Sequence, residues 1–270
     1  MELAIHRPAP LAHREIEDRL ARAGRAAVAL SGGVDSAVVA ALAARALGPN
    51  AHAVTLQGPA IAAVEVERAR TVARAIGIDH VVLPVDPLSV AEYASNPSNR
   101  CYFCRRTETR EIRRWADGRE VRQFLDGIHA DDLQDDRPGL AAMNEAGFAH
   151  PLLDAGWGKR DVRAFARSID LPNWDAPSEA CLASRVPHGQ ALSLELLGRV
   201  ERAETIVRSR GFRRVRVRTD GRSARVVVDA AEVAKLLQAP GAAEIISEIG
   251  RIGFAEVTLD AVGYRPRAGA

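Results

Sequence analysis

Two adjacent glycines, two serine hydroxyls and a carboxylate fall together in Ser31-Gly32-Gly33-Val34-Asp35-Ser36. An apolar run over residues 26–30 precedes them, and an alanine-rich run over residues 36–47 follows. A strand that passes through a glycine turn into a helix N-terminus aims unpaired backbone N–H groups and the positive end of the helix dipole into that turn, which makes it a phosphate site. The glycines let the backbone close over an anion, Ser31 and Ser36 add hydroxyl donors, and Asp35 can hold magnesium against phosphate oxygens. Neither the lysine of G-x-x-x-x-G-K-[ST] nor the spacing of G-x-G-x-x-G is present. The plain alternative is an incidental Gly-Gly turn with a serine cap.

Sulfur is the second chemistry on the chain. Cys101 and Cys104 stand in Asn99-Arg100-Cys101-Tyr102-Phe103-Cys104, and Cys181 stands in Glu179-Ala180-Cys181-Leu182-Ala183-Ser184-Arg185. A C-x-x-C turn can present two thiolates to one metal, and a distant third completes a face only where the fold brings it there. Three uses compete. The thiols are inert core residues; or they bind zinc, which without a fourth cysteine needs a histidine such as His129 or His188; or they hold an iron–sulfur cluster with one iron open, with one thiolate acting as sulfur donor as a variant. Arg100, Arg105 and Arg185 stand beside the cysteines, where their charge favours thiolate over thiol.

Further on, Arg214, Arg216 and Arg218 alternate, so one strand would carry all three on one face. Such a face can bind an anion; a solvated basic face is the plain alternative.

The elements that must position these groups follow from apolar periodicity. Residues 11–23 read as an amphipathic helix, 26–30, 51–56, 80–85, 121–126 and 148–152 as strands, and 61–76, 105–117 and 159–169 as helices. Strands alternating with helices imply right-handed βαβ units, hence a doubly wound, parallel five-stranded sheet whose ligands sit beyond the carboxyl ends of the strands. Asp131 and Asp132 follow the fourth strand on that rim and are expected to offer a second magnesium-facing carboxylate, while Asp135 and Asp136 read equally well as a solvated turn. Beyond residue 193 a helix, a strand over 212–218, an Asp220-Gly221 turn, a strand over 224–229 and a strand over 254–259 predict a smaller α+β domain with a mainly antiparallel sheet. The expected division is 1–188 and 189–270.

A chain of 270 residues, 47% apolar, can bury a full core in such a fold. A net charge of +2 gives no electrostatic sign of a nucleic-acid partner, and 4% aromatic residues supply few stacking platforms, so none is expected. No apolar stretch approaches the ~18 residues of a membrane span and residues 1–7 lack a signal-peptide core, so a cytoplasmic protein without a membrane partner is expected. An odd count of three cysteines points away from a disulfide framework.

The turn S-G-G-x-D-S resembles that of the PP-loop ATP pyrophosphatases. With it stand N-x-x-x-R-C-Y-F-C at 96–104, D-G-I-x-A-D-D-L-x-D-x-R-P-G at 126–139, A-C-L-A-S-R-x-P-x-G at 180–189 and G-Y-R at 263–265. In that order and over nearly the whole chain, they resemble the LarE family, ATP-dependent sulfur transferases of nickel-pincer nucleotide synthesis. The resemblance implies adenylation of a carboxylate of pyridinium-3,5-biscarboxylic acid mononucleotide, release of pyrophosphate and AMP, and insertion of sulfur to give a thiocarboxylate, once at each carboxylate. ATP and Mg2+ would be held by Ser31, Gly32, Gly33, Asp35 and Ser36, with Gly127 and Asp132 on the nucleotide side and Arg185, Arg214, Arg216, Arg218 and Arg265 for substrate. In one branch of the family a cysteine matching Cys181 gives up its own sulfur and becomes dehydroalanine; in the other, cysteines matching Cys101, Cys104 and Cys181 bind a [4Fe-4S] cluster. All three are present here, so the cluster branch is expected, with a sulfide source the sequence leaves unnamed. A homo-oligomer is also implied.

Overall fold

Short apolar strands separated by alanine- and arginine-rich helices build a parallel sheet. In a computed structural model of the chain, which describes residues 12–22, 24–134, 138–177 and 179–264, the strands are β1 (Ala26–Ala29), β2 (Ala51–Gln57), β3 (Asp79–Pro84), β4 (Gln123–Leu125), β5 (Phe148–Ala149), β6 (Val215–Thr219), β7 (Ser223–Val228) and β8 (Glu256–Leu259). The first five form one sheet in the order β3-β2-β1-β4-β5, parallel at every pair, as the sequence predicts. The order reverses between β1 and β4, the place where loops diverge and a crevice opens in such sheets.

The described residues form two units, drawn from Met1–Gln57, Ala63–Val85 and Arg105–Ala176, and from Gly58–Ala62, Asp86–Cys104 and Pro177–Ala270. The expected division has one break, after residue 188; the contacts draw the second unit from three stretches, because Ala60, Ala62 and Tyr93 pack with Leu182, Leu197 and Val200.

In the first unit both sheet faces are covered. Ala26 and Val28 pack into one apolar cluster with Val38, Leu42, Leu125 and Phe165, and Ala27 packs into another with Val54, Ile112, Phe124 and Phe148. The helix Val34–Leu47 is buried from Ala37 to Ala43 without a break, as an apolar stretch of helix in the middle of a fold must be. β5 is shorter than expected because Pro151 opens the helix Pro151–Asp154 directly after it.

In the second unit β6 and β7 are antiparallel through the Asp220-Gly221 turn, where Gly221 has φ +91°. β8 then pairs with β7 in parallel, where a mainly antiparallel sheet was expected. The helix Gly241–Arg251 returns the chain across the sheet before β8 begins, so the last strand runs with its neighbour.

Candidate functional site

The loop between β1 and the helix Val34–Leu47 is closed by its own side chains. Ser36 Oγ accepts from the Ser31 N–H at 3.1 Å, lies 3.1 Å from Ser31 Oγ, and donates to the Gly33 carbonyl at 3.1 Å. Gly33 is the N-cap, so Asp35 and Ser36 stand in the helix's first turn. Gly32 has φ +84°, and a β-carbon there would lie 2.5 Å from the Glu65 carbonyl oxygen. Gly127, just past β4, presses equally close, since its β-carbon would lie 2.5 Å from the Ser36 backbone nitrogen. The two glycines therefore let backbone approach backbone where the strand order reverses.

Around this loop stand groups that sequence reasoning did not assign to it. Asn173, 2% exposed, donates through Nδ2 to the Gly32 carbonyl at 2.9 Å, while its Oδ1 is buried without a hydrogen-bond partner. His129, weighed from sequence only as a zinc ligand, has Nε2 3.7 Å from both Asp35 Oδ1 and Asp132 Oδ1, and its buried Nδ1 has no partner. Lys159 Nζ lies 2.8 and 2.7 Å from the two oxygens of Asp35. Asp131 accepts from the Lys159 backbone N–H at 2.7 Å, which commits it to the helix that follows, and leaves Asp132 as the carboxylate beside His129. The narrow glycine cradle, the helix N-terminus, two carboxylates and the orphaned buried atoms of Asn173 and His129 fit a polyphosphate with its magnesium ion.

Asp126, between β4 and Gly127, shapes the same rim. Its Oδ1 accepts from the Ile128 N–H at 3.0 Å and lies 2.8 Å from His150 Nδ1, while His150 Nε2 lies 2.8 Å from Asn144 Oδ1. Oxygens facing both ring nitrogens favour the protonated form of His150. Burial alone would lower its pKa; the Asp126 hydrogen bond and charge, then Asp154, outweigh burial and raise it above the usual 6.5. A raised folded-state pKa stabilises fully below the unfolded value and is lost as pH climbs through the folded one. The stability gap between wild type and His150→Gln, read from urea midpoints, is therefore widest below about pH 6.5 and narrows as pH rises.

All three cysteines lie in the second unit, and none is in a disulfide. Cys101 and Cys104 are not in a turn: they occupy the opening turn of the helix Arg100–Ala116, three residues apart and so on one face, with Cys101 exposed. Cys104 and Cys181, half-buried, pack against the same apolar cluster as Tyr93 and Leu182. Among the described residues no group of three or more His, Cys, Asp or Glu side chains is arranged to hold a metal ion. The three thiols share one unit, with Cys104 and Cys181 against one apolar cluster.

The arginines divide. Arg105 pairs with Glu108 at 2.7 Å, and Arg100, 6% exposed, donates to Asn96 Oδ1 at 2.9 Å. Arg185 is 3% exposed: it donates to Glu204 at 2.6 and 3.2 Å, to the Ala180 and Cys181 carbonyls and to Ser184 Oγ. Burial would lower its pKa, but Glu204, then Glu179 and Cys181, hold it above the usual value. Arg214 precedes β6, pairs with Asp229 at 3.2 Å and stacks on Tyr264. Arg216 also stacks on Tyr264, 4.3 Å from the ring centre; burial is the largest of the influences that lower its pKa, and its buried Nε has no partner. Arg218 is exposed, and Arg265 lies outside the described residues.

Comparison with known proteins places this arrangement. The family model of asparagine synthase matches residues 13–99, the stretch containing β1, the glycine loop and β2. An uncharacterized protein of Synechocystis is 37% identical over 89% of this chain and 90% of its own. The pyridinium-3,5-bisthiocarboxylic acid mononucleotide synthase of Lactiplantibacillus plantarum is 32% identical over 89% of this chain and 87% of its own. The chain belongs to the LarE family of PP-loop proteins. A tRNA-specific 2-thiouridylase, MnmA, of Xanthobacter autotrophicus is also 32% identical, over 67% of this chain and 56% of its own. As a LarE-family PP-loop protein the chain is an ATP-using sulfurtransferase. No helix among the described residues is long and apolar enough to cross a membrane.

Lys159 and Asn173 left weak traces in the LarE-family sequence. Gly158-Lys159 opens a helix after the fifth strand, on the rim where ligands bind, and Asn173 follows Pro172 just past that helix. Only the fold brings either to a loop more than a hundred residues away in sequence.

Proposed function

We propose that this chain converts pyridinium-3,5-biscarboxylic acid mononucleotide to the bisthiocarboxylic acid mononucleotide, activating each carboxylate by adenylation with release of pyrophosphate and AMP. What supports it is the presence, on a chain similar to that synthase, of both the glycine cradle beside Asp35 and the Cys181 loop held from within by Arg185. ATP supplies AMP as a leaving group for an oxygen that would otherwise depart as oxide. The N–H groups and hydroxyls of Ser31 to Ser36 hold the pyrophosphate, Asp35 and Asp132 hold magnesium, and Gly127 keeps the neighbouring turn close. Arg216, with its free Nε and aromatic backing, is our first choice for the substrate phosphate, with Arg218, Arg214 and Arg265 as further candidates. Arg185 we assign to holding the Cys181 loop, because Glu204 and backbone carbonyls already engage it.

The sulfur carrier in this proposal is a [4Fe-4S] cluster on Cys101, Cys104 and Cys181. A second carrier is Cys181 itself, whose carbonyl accepts from Arg185, which holds its loop. Intact mass of anaerobically purified protein, before and after turnover, with iron and labile sulfide assayed on the same sample, separates them. Unchanged mass, about four irons and repeated turnover on added sulfide mean a cluster; loss of the mass of a hydrogen sulfide molecule from Cys181 without iron means sacrificial donation. Cys181→Ala is expected to release pyrophosphate but form no thiocarboxylate under either carrier. Tight, salt-sensitive retention of bulk tRNA on filters, with no pyrophosphate released by the mononucleotide, would shift the assignment to the RNA thiolation that the similarity to MnmA allows.

A further inference from the structure

Asn96, which opens the N-x-x-x-R-C motif, takes no part in the chemistry above, yet it is 0% exposed and every polar atom it has is engaged. Its N–H donates to the Tyr93 carbonyl at 2.9 Å, and its own carbonyl accepts from the Gly189 N–H at 2.8 Å. Its Nδ2 donates to the Pro187 carbonyl at 2.8 Å and lies 3.5 Å from that of Val186, while its Oδ1 accepts from Arg100 Nη1 at 2.9 Å. Arg100 Nη1 also lies 3.2 Å from His188 Nδ1, and the Leu192 N–H donates to the Ala94 carbonyl at 2.7 Å. Two stretches some ninety residues apart are thus joined, one leading into Cys101 and Cys104 and the other following Cys181. We propose that Asn96 is a positioning residue for sulfur transfer, registering the Cys181 segment on the segment that enters the Cys101–Cys104 helix. The proposal rests on the sulfur-transfer reading of these cysteines and deepens it for either carrier.

The residue type follows from the task. A side-chain amide offers a donor and an acceptor from one small group, so it can reach across to the Pro187 carbonyl and take Arg100 at once. Asn96 has φ +56°, a left-handed backbone that asparagine enters more readily than most residues. The Cys181 segment is then held at both ends: Arg185 binds the Ala180 and Cys181 carbonyls from one side, and Asn96 binds residues 186–189 from the other. Val186 and Leu192 pack on the same apolar cluster as Cys104 and Cys181, so the clip and the thiols share one support. Position matters because activation precedes transfer. If sulfur is out of place, water attacks the acyl adenylate instead, restoring the carboxylate and releasing AMP.

Asn96→Gly removes the amide and suits the left-handed backbone; Asn96→Asp keeps Oδ1 for Arg100 and loses only the donor. Below its unfolding transition, Asn96→Gly should exchange the Gly189 and Leu192 amide hydrogens about 10- to 100-fold faster than wild type. With ATP, the dicarboxylate mononucleotide and sulfide under anaerobic conditions, both variants should still release pyrophosphate, but the thiocarboxylate formed per pyrophosphate should fall about tenfold. A loss in Asn96→Asp as well assigns the effect to the bond with Pro187. A wild-type ratio in both variants, or thiocarboxylate and pyrophosphate falling in equal proportion, would overturn the positioning role alone. Cys181→Ala protein that forms thiocarboxylate at the wild-type ratio would overturn the sulfur-transfer reading and this proposal with it.

Discussion

Glu204→Ala should cost about 3–5 kcal/mol of stability, the loss typical of breaking a buried ion network from one side. Glu204 is 0% exposed on the helix Leu194–Ser209. Its Oε1 accepts from Arg185 Nε at 2.6 Å and the Val217 N–H at 3.0 Å; its Oε2 accepts from Arg185 Nη2 at 3.2 Å and Arg208 Nη2 at 2.8 Å. Four donors saturate one carboxylate. Truncation would leave Arg185 buried with Glu179, 3.8 Å away, as its remaining carboxylate, and would strip the Val217 N–H of its acceptor. Urea unfolding monitored in the second unit measures the loss. Because Arg185 also holds the Ala180 and Cys181 carbonyls, Cys181 should react faster with an alkylating reagent in the variant below its unfolding transition. Arg185→Met combined with Glu204→Leu should recover part of the stability, since apolar groups of similar volume often replace a buried pair at little cost. A single variant no less stable than wild type would remove the network from the account of this unit.

The second large effect separates two glycines that look alike in the motif. Gly32→Ala should abolish measurable MgATP binding, a weakening of more than about 100-fold, whereas Gly33→Ala should change it only a few-fold. At Gly32 the backbone is left-handed, φ +84°, which costs an L-residue about 1–2 kcal/mol. The added carbon would also stand 2.5 Å from the Glu65 carbonyl oxygen, in the helix Ala63–Ile76, whose backbone cannot yield cheaply. The loop must then open, and its N–H groups lose their convergence. Gly33 has φ −74°, ordinary for any residue, and its nearest obstacle is Ser31 Oγ at 3.4 Å. Equal MgATP affinities for the two variants would show that the loop closes by some other route.

Those two glycines mark where the sequence stops being sufficient. The parallel sheet was legible because β1 to β4 are apolar runs bounded by turns, and their alternation with helices admits few topologies. The phosphate turn was legible because its residues are contiguous. Its surroundings were not: Lys159 and Asn173 carry no local pattern that ties them to Asp35 and Gly32, and only the strand order β1-β4-β5 brings them near. The C-x-x-C pair was misplaced by a few residues, because Arg100 to Arg106 lacks apolar periodicity while the helix nonetheless starts at Arg100. Arg185 looked like a substrate ligand from its neighbours in sequence, and its bond to Glu204 joins residues nineteen apart that no periodicity connects.

Glu204 has one more consequence, for what can come alongside β6. That strand is an outer member of its three-stranded sheet, and an outer strand ordinarily presents unpaired N–H and C=O groups to any extended chain that drifts past. Here the outward N–H of Val217 is taken by Glu204 and the carbonyl of Val215 faces Arg208 at 3.5 Å, both side chains reaching down from one helix. The carboxylate and guanidinium occupy the hydrogen-bonding row that a misfolded neighbour would use. Two charges thereby guard this border against fibrillar recruitment, and a variant lacking them should be watched for aggregation as closely as for unfolding.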